Sequence, residues 1–204
     1  MTNIDDFPKG LETIYSHAKN TKHKNPPVET WNPDYCGEID IKILQNGKWL
    51  YMGSEIKRPA LVKLFSSVLR LDDDGNYYLV TPVEKLKIEV EDAPFFIISM
   101  EKIISNGDTG YYFYTNTHEK IELSSKAPIE ININEKNHPK PYITVRRNLK
   151  ALISRSVYYE IIDNAEEVTI ESKKCLALVS NNDCLLYTSD AADEGLGVDL
   201  GGRR

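Results

Sequence analysis

The sequence predicts an α+β protein of two related small domains, each with antiparallel strands and one amphipathic helix. Three observations support this class: short alternating strands separated by turn signals, two amphipathic helical stretches, and the same strand, basic residue, helix, strand order in both halves. We predict a covering arm over residues 1–35, a first domain over 36–82, and a second, β-rich domain with a C-terminal helix over 83–184.

The composition is that of an ordinary globular protein. The 204 residues carry 25 lysines and arginines against 31 aspartates and glutamates, a formal net charge of −6. A nonspecific nucleic-acid binder is usually basic, so this balance disfavours one. No apolar run approaches the ~18 residues of a membrane span, and the N-terminus lacks the apolar core of a signal peptide. We therefore expect a cytoplasmic protein with no membrane span.

The last twenty residues differ from the rest of the chain. Residues 185–204, LLYTSDAADEGLGVDLGGRR, show neither strand alternation nor a helical face. They resemble the out-of-frame translation of a sequencing adapter, so we interpret them as a non-native tail. Without them the net charge is 23 − 27 = −4.

The first elements are a helix and a hairpin. A short helix is predicted over 7–18, followed by a polar arm that contains several prolines. Residues 39–45 then alternate apolar and polar, Asn46-Gly47 matches a type I′ turn, and residues 48–52 form the returning strand.

The first amphipathic helix follows Lys57 and Arg58. Pro59 suits the first turn of a helix, and an apolar face recurs at i, i+3, i+4, i+7 and i+8. The face consists of Leu61, Leu64, Phe65, Val68 and Leu69. A strand over 77–81 follows the turn at 72–76.

The middle of the chain is predicted to be rich in strands. Short strands with close turn spacing fill residues 81–133, including runs near 119–125 and 129–133, which is typical of a small barrel or sandwich. The aromatic run 111–114 fits either strand packing or base stacking, and strand packing is favoured because no basic residues interleave it.

The second helix is predicted to follow Arg146, Arg147 and Asn148. Its apolar face comprises Leu149, Leu152, Ile153, Val157, Tyr158 and Ile161, and a strand over 175–179 comes next. Sliding the sequence by 88 residues places Leu61 on Leu149 and Arg58 on Arg146, which suggests an internal duplication.

Basic residues before both helices point to an anion site. The amino end of a helix has unpaired N–H groups and partial positive charge, and arginine supplies a planar donor fork for phosphate or carboxylate. Lys57, Arg58, Arg146 and Arg147 could converge on one anion, with Arg155 near their face. Alternatively, these side chains are solvated or pair with Glu55, Glu84 or Glu160.

Other candidate sites are weaker. Glu84, Glu89, Glu91 and Asp92 could supply an acid/base pair or a metal site, although polar strand faces have the same pattern. The four histidines and three cysteines lack the spacing of metal ligands, disulfides or nucleophiles, and no glycine-rich phosphate loop is present. We expect no metal and no cofactor.

Six stretches together resemble the bacterial domain-of-unknown-function family numbered 1285. They are WNPDYCGEID (31–40), GKWLYMGSEI (47–56), LVKLF (61–65), YLVTPVEK (78–85), VEDAPF (90–95) and RNLKALISRSVYYE (147–160). The resemblance spans residues 28–182. It implies a duplicated core, a pleckstrin-homology-like second domain, an interdomain pocket for a nucleotide-like ligand, and a part in signal transduction. It implies no catalytic activity.

We therefore expect a non-enzymatic, ligand-binding regulator. Arg58, Arg146 and Arg147 would bind a small anionic, nucleotide-like ligand, with Lys57, Thr81, Glu84, Arg155 and Tyr158 as neighbours. Two alternatives stay open: an enzyme that acts on a phosphorylated metabolite with Glu84 or Asp92 as acid/base, and a module that binds a protein partner.

Overall fold

The chain forms two compact units, which a computed structural model describes for residues 15–16, 26–105, 108–134, 138–170, 173–180 and 183–184. The first unit comprises residues 1–96, 116–118 and 147–149, and the second comprises 97–115, 119–146 and 150–204. The predicted helix over 7–18 lies outside the described residues except for Tyr15 and Ser16, whose backbone is helical, and the predicted non-native tail lies wholly outside them.

The first unit contains a 3₁₀ turn, six strands and one described helix. In chain order they are the 3₁₀ turn Val28–Thr30, β1 Tyr35–Ile43, β2 Trp49–Tyr51, β3 Ser54–Glu55, α1 Pro59–Ser67, β4 Leu69–Leu71, β5 Tyr77–Val80 and β6 Lys85–Val90. The strands form one sheet in the order β3-β2-β1-β6-β5-β4. The central pair, β1 and β6, is parallel, whereas the other four pairs are antiparallel.

The core of this unit follows the alternation that the sequence predicted. Ile41 and Ile43 on β1 are at most 1% exposed, while the intervening Lys42 is half-buried on the opposite face. Helix α1 contributes Phe65, which is fully buried, and Trp49 and Leu79 complete the same core. Helix and sheet therefore bury apolar faces of period 3.6 and period 2 against each other.

The second unit has a second six-stranded sheet, one described helix and two short hairpins. Its elements are β7 Phe95–Ser105, β8 Asp108–Thr115, β9 Lys120–Glu122, β10 Ile129–Ile133, β11 Pro139–Arg146, β12 Leu149–Ile153, α2 Arg155–Asn164, β13 Glu166–Ile170, β14 Lys173–Ala177, β15 Val179–Ser180 and β16 Asp183–Cys184. The sheet order is β10-β11-β12-β7-β8-β9.

The two sheets share one strand order. Numbered from one to six within each unit, both read third, second, first, sixth, fifth, fourth. The predicted α+β class with two related domains is therefore confirmed. The predicted first domain ends at residue 82, and β6, which follows that residue, pairs with β1 and β5 of the first sheet.

The predicted 88-residue alignment of the two helices is wrong. Leu61 lies in helix α1, whereas Leu149 begins strand β12, and α2 starts only at Arg155 after the N-cap Ser154. The segment Leu149–Ile153 is short and mostly apolar, and such segments cannot be assigned to strand or helix by periodicity alone. Because β12 lies between β11 and β7, burial on both faces accounts for that segment.

The turn between β1 and β2 also differs from the prediction. Gly47 N–H donates to Leu44 O at 2.9 Å, and among the two predicted turn residues only Gly47 has positive φ, at 79°. The loop is thus a type I turn closed by a left-handed glycine rather than a type I′ turn. An added Cβ at Gly47 would lie 2.7 Å from Phe96 Cβ and 2.8 Å from Asn116 Nδ2.

Replacing Gly47 with alanine should destabilise the protein by about 2–4 kcal/mol, because both the backbone conformation and the crowded Cβ are unfavourable. Gly53→Ala is the matched control, since Gly53 has φ 74° and nothing within 4 Å of its added Cβ. Urea unfolding of both variants separates the two effects. Equal losses of stability would show that the contact with Phe96 and Asn116 contributes nothing.

Candidate functional site

A cleft in the first unit lies along the register shift between β1 and β6. Glu38 pairs with Lys87 and Lys42 pairs with Glu89, so four steps along β1 span the same distance as two along β6. A cavity of about 580 Å³ lies beside this register shift. It is lined by residues 38–41 of β1, residues 87–90 of β6, turn residues 75–76 and Tyr77 at the start of β5.

The charged groups of the cleft are mainly acidic. Glu38, Asp40 and Glu89 contribute three carboxylates, and Lys87 is the one lysine of the lining. Lys87 Nζ lies 3.6 Å from the Glu38 carboxylate. Glu89 forms a 2.8 Å ion pair with Lys42, which does not line the cleft. The local charge therefore complements a cationic or neutral ligand better than an anion.

Lys42 holds two carboxylates of this sheet face together. Its ammonium lies 2.8 Å from Glu89 and 3.1 Å from Glu91, and these hydrogen bonds raise its pKa. Gln45 N–H donates to Glu91 at 3.0 Å, and the Gln45 amide donates to Asp92 at 3.2 Å. Glu89, Glu91 and Asp92, which the sequence offered as acid/base or metal candidates, thus form contacts with neighbouring side chains or backbone.

A charged cluster fixes the turn that forms one wall of the cleft. Arg70 Nε and Lys85 Nζ each lie 2.5 Å from the carboxylate of Asp72, whose side chain is 17% exposed. Burial opposes ionisation of Asp72, but the hydrogen bonds from Arg70 and Lys85 outweigh it and lower the pKa. The Lys85 ammonium also lies 4.1 Å from the centre of the Tyr78 ring.

Asp74 completes this turn. It accepts hydrogen bonds from the Tyr78 hydroxyl at 2.6 Å and from Asn76 N–H at 2.9 Å. The Tyr78 bond, followed by the Asn76 bond, lowers the pKa of Asp74 to about 2. The same bond raises the pKa of Tyr78 to about 12. The turn residues that line the cleft are therefore held by ionised groups at neutral pH.

The predicted residues before α1 lie where the sequence placed them. Arg58 is the N-cap of α1 with extended backbone, and Pro59 takes the first helical position. Lys57 and Arg58 are both exposed. No side-chain hydrogen bond caps this amino end. Two exposed basic residues thus lie beside the positive end of α1.

Arg146 and Arg147 do not precede a helix, which corrects the prediction. Arg146 ends β11, and its guanidinium forms an ion pair with Glu119 in which the side chains are only 10% and 18% exposed. Arg147 occupies the turn before β12, where it pairs with Glu29 and donates from Nη2 to Pro26 O at 3.1 Å. Both arginines thus bind protein carboxylates. Their partners are not Glu55, Glu84 or Glu160, which the sequence suggested.

The backbone at Arg147 is strained. Its φ is 51°, a left-handed conformation that costs a residue with a Cβ about 1–2 kcal/mol. Glycine or asparagine usually takes such turn positions. The neighbouring Asn148 instead uses its side chain, donating to Leu71 O at 3.0 Å.

Thr81 and Glu84 are brought together in one turn. Thr81 is fully buried, its N–H donates to Glu84 O at 2.8 Å, and its hydroxyl accepts from Glu84 N–H at 3.1 Å. One carboxylate oxygen of Glu84, Oε2, is buried without a hydrogen-bond partner among the described residues. The Thr81 hydroxyl therefore closes its own turn.

The remaining candidates lie on α2. Arg155 is the exposed first residue of the helix, and Tyr158 is half-buried with a pKa raised by that burial. Lys57, Arg58, Thr81, Glu84 and Arg147 belong to the first unit, and Arg146, Arg155 and Tyr158 belong to the second. Convergence of all eight on one ligand stays a prediction.

The sequence did not reveal the cleft or the Asp72 cluster. The cleft depends on the register between strands about 50 residues apart, and Arg70 contacts groups 39 and 42 residues away. The only local signal was the turn composition at 72–76.

Within the described ranges no cluster of three or more histidine, cysteine, aspartate or glutamate side chains is placed to hold a metal ion. None of the described helices has the length and apolar character needed to cross a membrane.

Stability at low pH should depend on Asp74. Because its pKa is lower in the folded protein than the ordinary 3.8, its contribution is complete above that value and is lost as the pH falls towards about 2. Asp74→Asn should therefore flatten the loss of unfolding free energy between these two pH values. Urea titrations across that range measure it, and Asp73→Asn, at the adjacent exposed carboxylate, is the control. A wild-type slope in Asp74→Asn would contradict the assignment.

Comparison with known proteins gives matches to one family. Residues 26–93 match "Domain of unknown function (DUF1285), N-terminal domain", and residues 94–185 match the C-terminal domain of the same family. A DUF1285 family protein from Silicibacter pomeroyi DSS-3 is 35% identical, with 88% of this chain and 96% of that chain covered and a TM-score of 0.75. A second, from Shewanella baltica OS155, is 27% identical over 61% of this chain and 91% of that chain, with a TM-score of 0.49. No curated protein matches the sequence.

Proposed function

Since this chain belongs to the DUF1285 family, whose name records no function, we propose from its geometry that it binds a small polar ligand without catalysis. The ligand site is the cleft between β1 and β6. The observation that carries the proposal is the cavity of about 580 Å³ beside the register shift. A site of this volume is within the range of small-ligand pockets, about 300–1,000 Å³.

The broken ladder supplies backbone groups for recognition. Residues 39–41 of β1 face only Ile88 of β6, so their N–H and C=O groups cannot all pair across this boundary. On the other side, Ile41 pairs with β2, and Asp40 O accepts from Met52 N–H at 2.9 Å. Backbone groups that lack a strand partner bond to water or to a ligand. A ligand with both donors and acceptors would fit them.

The acidic lining determines the charge of the preferred ligand. Three carboxylates against one lysine favour a ligand with an amine or another positive group. The ionised Asp72 and Asp74 hold residues 75–77 in place, so the cleft is preformed. Preformed sites lose less affinity to ordering than flexible ones.

The nucleotide-like anion that the sequence suggested is a second candidate ligand. The observation that favours it is the exposed Lys57 and Arg58 at the uncapped amino end of α1. Such a ligand would make the protein a regulator in signal transduction, as the family resemblance implies. The enzyme alternative has weaker support, since neither Glu84 nor Asp92 lines the cleft.

Titration with a charge-graded panel tests the site. Agmatine, an uncharged sugar and AMP are titrated into ¹⁵N-labelled protein, and we expect agmatine to shift the backbone signals of residues 39–41 and Ile88. The double variant Glu38→Gln/Asp40→Asn should weaken agmatine binding about 2–10-fold, since each exposed charge contributes modestly.

Glu160→Gln/Asp163→Asn, which removes two exposed carboxylates from α2, is the matched control and should bind normally. Shifts outside the cleft for every ligand, or equal loss in both double variants, would refute the cleft as the site. Binding of AMP that Arg58→Ala abolishes would favour the second candidate. Turnover of any panel member would favour an enzyme.

A further inference from the structure

Residues 26–31, which we call the strap, are held by two arginines from distant parts of the chain. Arg70 Nη1 donates to Val28 O at 2.9 Å and to Trp31 O at 2.7 Å. Arg147 Nη2 donates to Pro26 O at 3.1 Å and its guanidinium pairs with Glu29. Val28 is fully buried between these attachments. The strap is thus fixed by two buried side chains, Pro26 and Val28, and by two guanidinium groups.

The two attachments differ in their exposure. The Arg70 side chain is 14% exposed and is held on its other side by both carboxylate oxygens of Asp72. Arg147 is 30% exposed and its partner Glu29 is 52% exposed. A guanidinium enclosed by protein groups keeps its partner, whereas an exposed ion pair exchanges readily with solutes. The attachment at Arg147 is therefore the one that a solute can reach.

The strained turn indicates why an arginine stands at this position. Glycine would adopt the φ of 51° at little cost, so the turn itself does not require the residue that the chain carries. The Arg147 side chain makes two contacts, with Pro26 O and with Glu29, that a glycine at this position could not make. Strain of this kind is a reason to look for a function of the side chain.

We propose that the Arg147–Glu29 pair is a latch that a phosphoryl oxyanion opens. The oxyanion replaces the Glu29 carboxylate on the guanidinium, whose planar fork matches two phosphate oxygens. The end of the strap at Pro26 is then released, while Arg70 still holds Val28 and Trp31. The oxyanion could be inorganic phosphate or the phosphate of a nucleotide. This device is separate from the β1/β6 cleft and does not depend on it.

Because the oxyanion and Glu29 compete for one guanidinium, oxyanion binding and opening of the strap favour each other. If the oxyanion and Glu29 exclude each other, oxyanion binding opens the strap, and closure of the strap weakens oxyanion binding by the same factor. Removing the carboxylate of Glu29 should therefore increase the affinity for phosphate and loosen the strap without a ligand. Removing the guanidinium should abolish both responses.

Amide hydrogen exchange of the full chain tests the latch. Val28 N–H bonds to Pro26 O at 2.8 Å and Thr30 N–H bonds to Pro27 O at 2.9 Å, so their exchange reports opening of the strap. Sodium phosphate should speed their exchange several-fold, and sodium chloride at the same ionic strength should not. Glu29→Gln should exchange faster without phosphate and bind phosphate about 2–5-fold more tightly.

Arg147→Gly is the decisive variant because it removes the guanidinium and suits the turn, so the hairpin is retained. Its strap should exchange quickly with and without phosphate. AMP in a parallel titration distinguishes the sources: equal potency with phosphate means that the phosphoryl group suffices, and greater potency means that the nucleoside contributes. Equal effects of chloride and phosphate, or a phosphate response that persists in Arg147→Gly, would overturn the proposal.

Discussion

The parallel pairing of β1 with β6 is the constraint on which the first unit depends. Parallel neighbours cannot be joined by a tight turn, so the chain must travel through four further strands and α1 before it returns beside β1. That path makes the sheet from two three-stranded antiparallel groups, β1–β3 and β4–β6, which meet at the parallel pair of β1 and β6. The two groups need not agree in register, and the mismatch between residues 38–42 and 87–89 is taken up at their boundary. The cleft lies along the irregular line where these two regular halves meet.

Several charged side chains of the first unit stabilise the backbone conformation. Asp72 gathers Arg70 and Lys85, Arg70 then binds two carbonyl groups of the strap, and Asp74 fixes the turn that follows. Asp72, Arg70 and Lys85 are largely shielded from water, and their contacts outweigh the cost of burying Asp72, whereas Asp74 is exposed. The carboxylates of the cleft differ, since Glu38 and Glu89 are mostly exposed and their lysine contacts leave them open to solutes. The degree of exposure therefore separates the Asp72 cluster, which helps to build the fold, from the carboxylates of the cleft, which solutes can reach.

The sequence was informative where the evidence was local. The alternation in β1, the proline at the start of α1 and the turn residues at 72–76 each express a short-range rule, and those elements form as predicted. The sequence-based prediction failed at Leu149–Ile153 because a five-residue, mostly apolar segment fits both helix and strand patterns, and only its position between β11 and β7 decides between them. The candidate arginines show the same division. Arg58 was placed correctly from its local context, whereas Glu119 and Glu29, the partners of Arg146 and Arg147, lie 27 and 118 residues away.

The contacts of Asn116, Arg147 and Asn148 have a consequence for how the protein is made. Their side chains bind the carbonyl groups of Gly47, Pro26 and Leu71, so the first compact unit closes with residues that are synthesised long after its own strands. During translation the sheet of β1–β6 can assemble first. These three carbonyl groups lack their hydrogen-bond donors until the later segments of the chain have been synthesised. Completion of the first unit is thus coupled to synthesis of the β11–β12 turn. The first unit cannot form all of its hydrogen bonds until that turn has been synthesised.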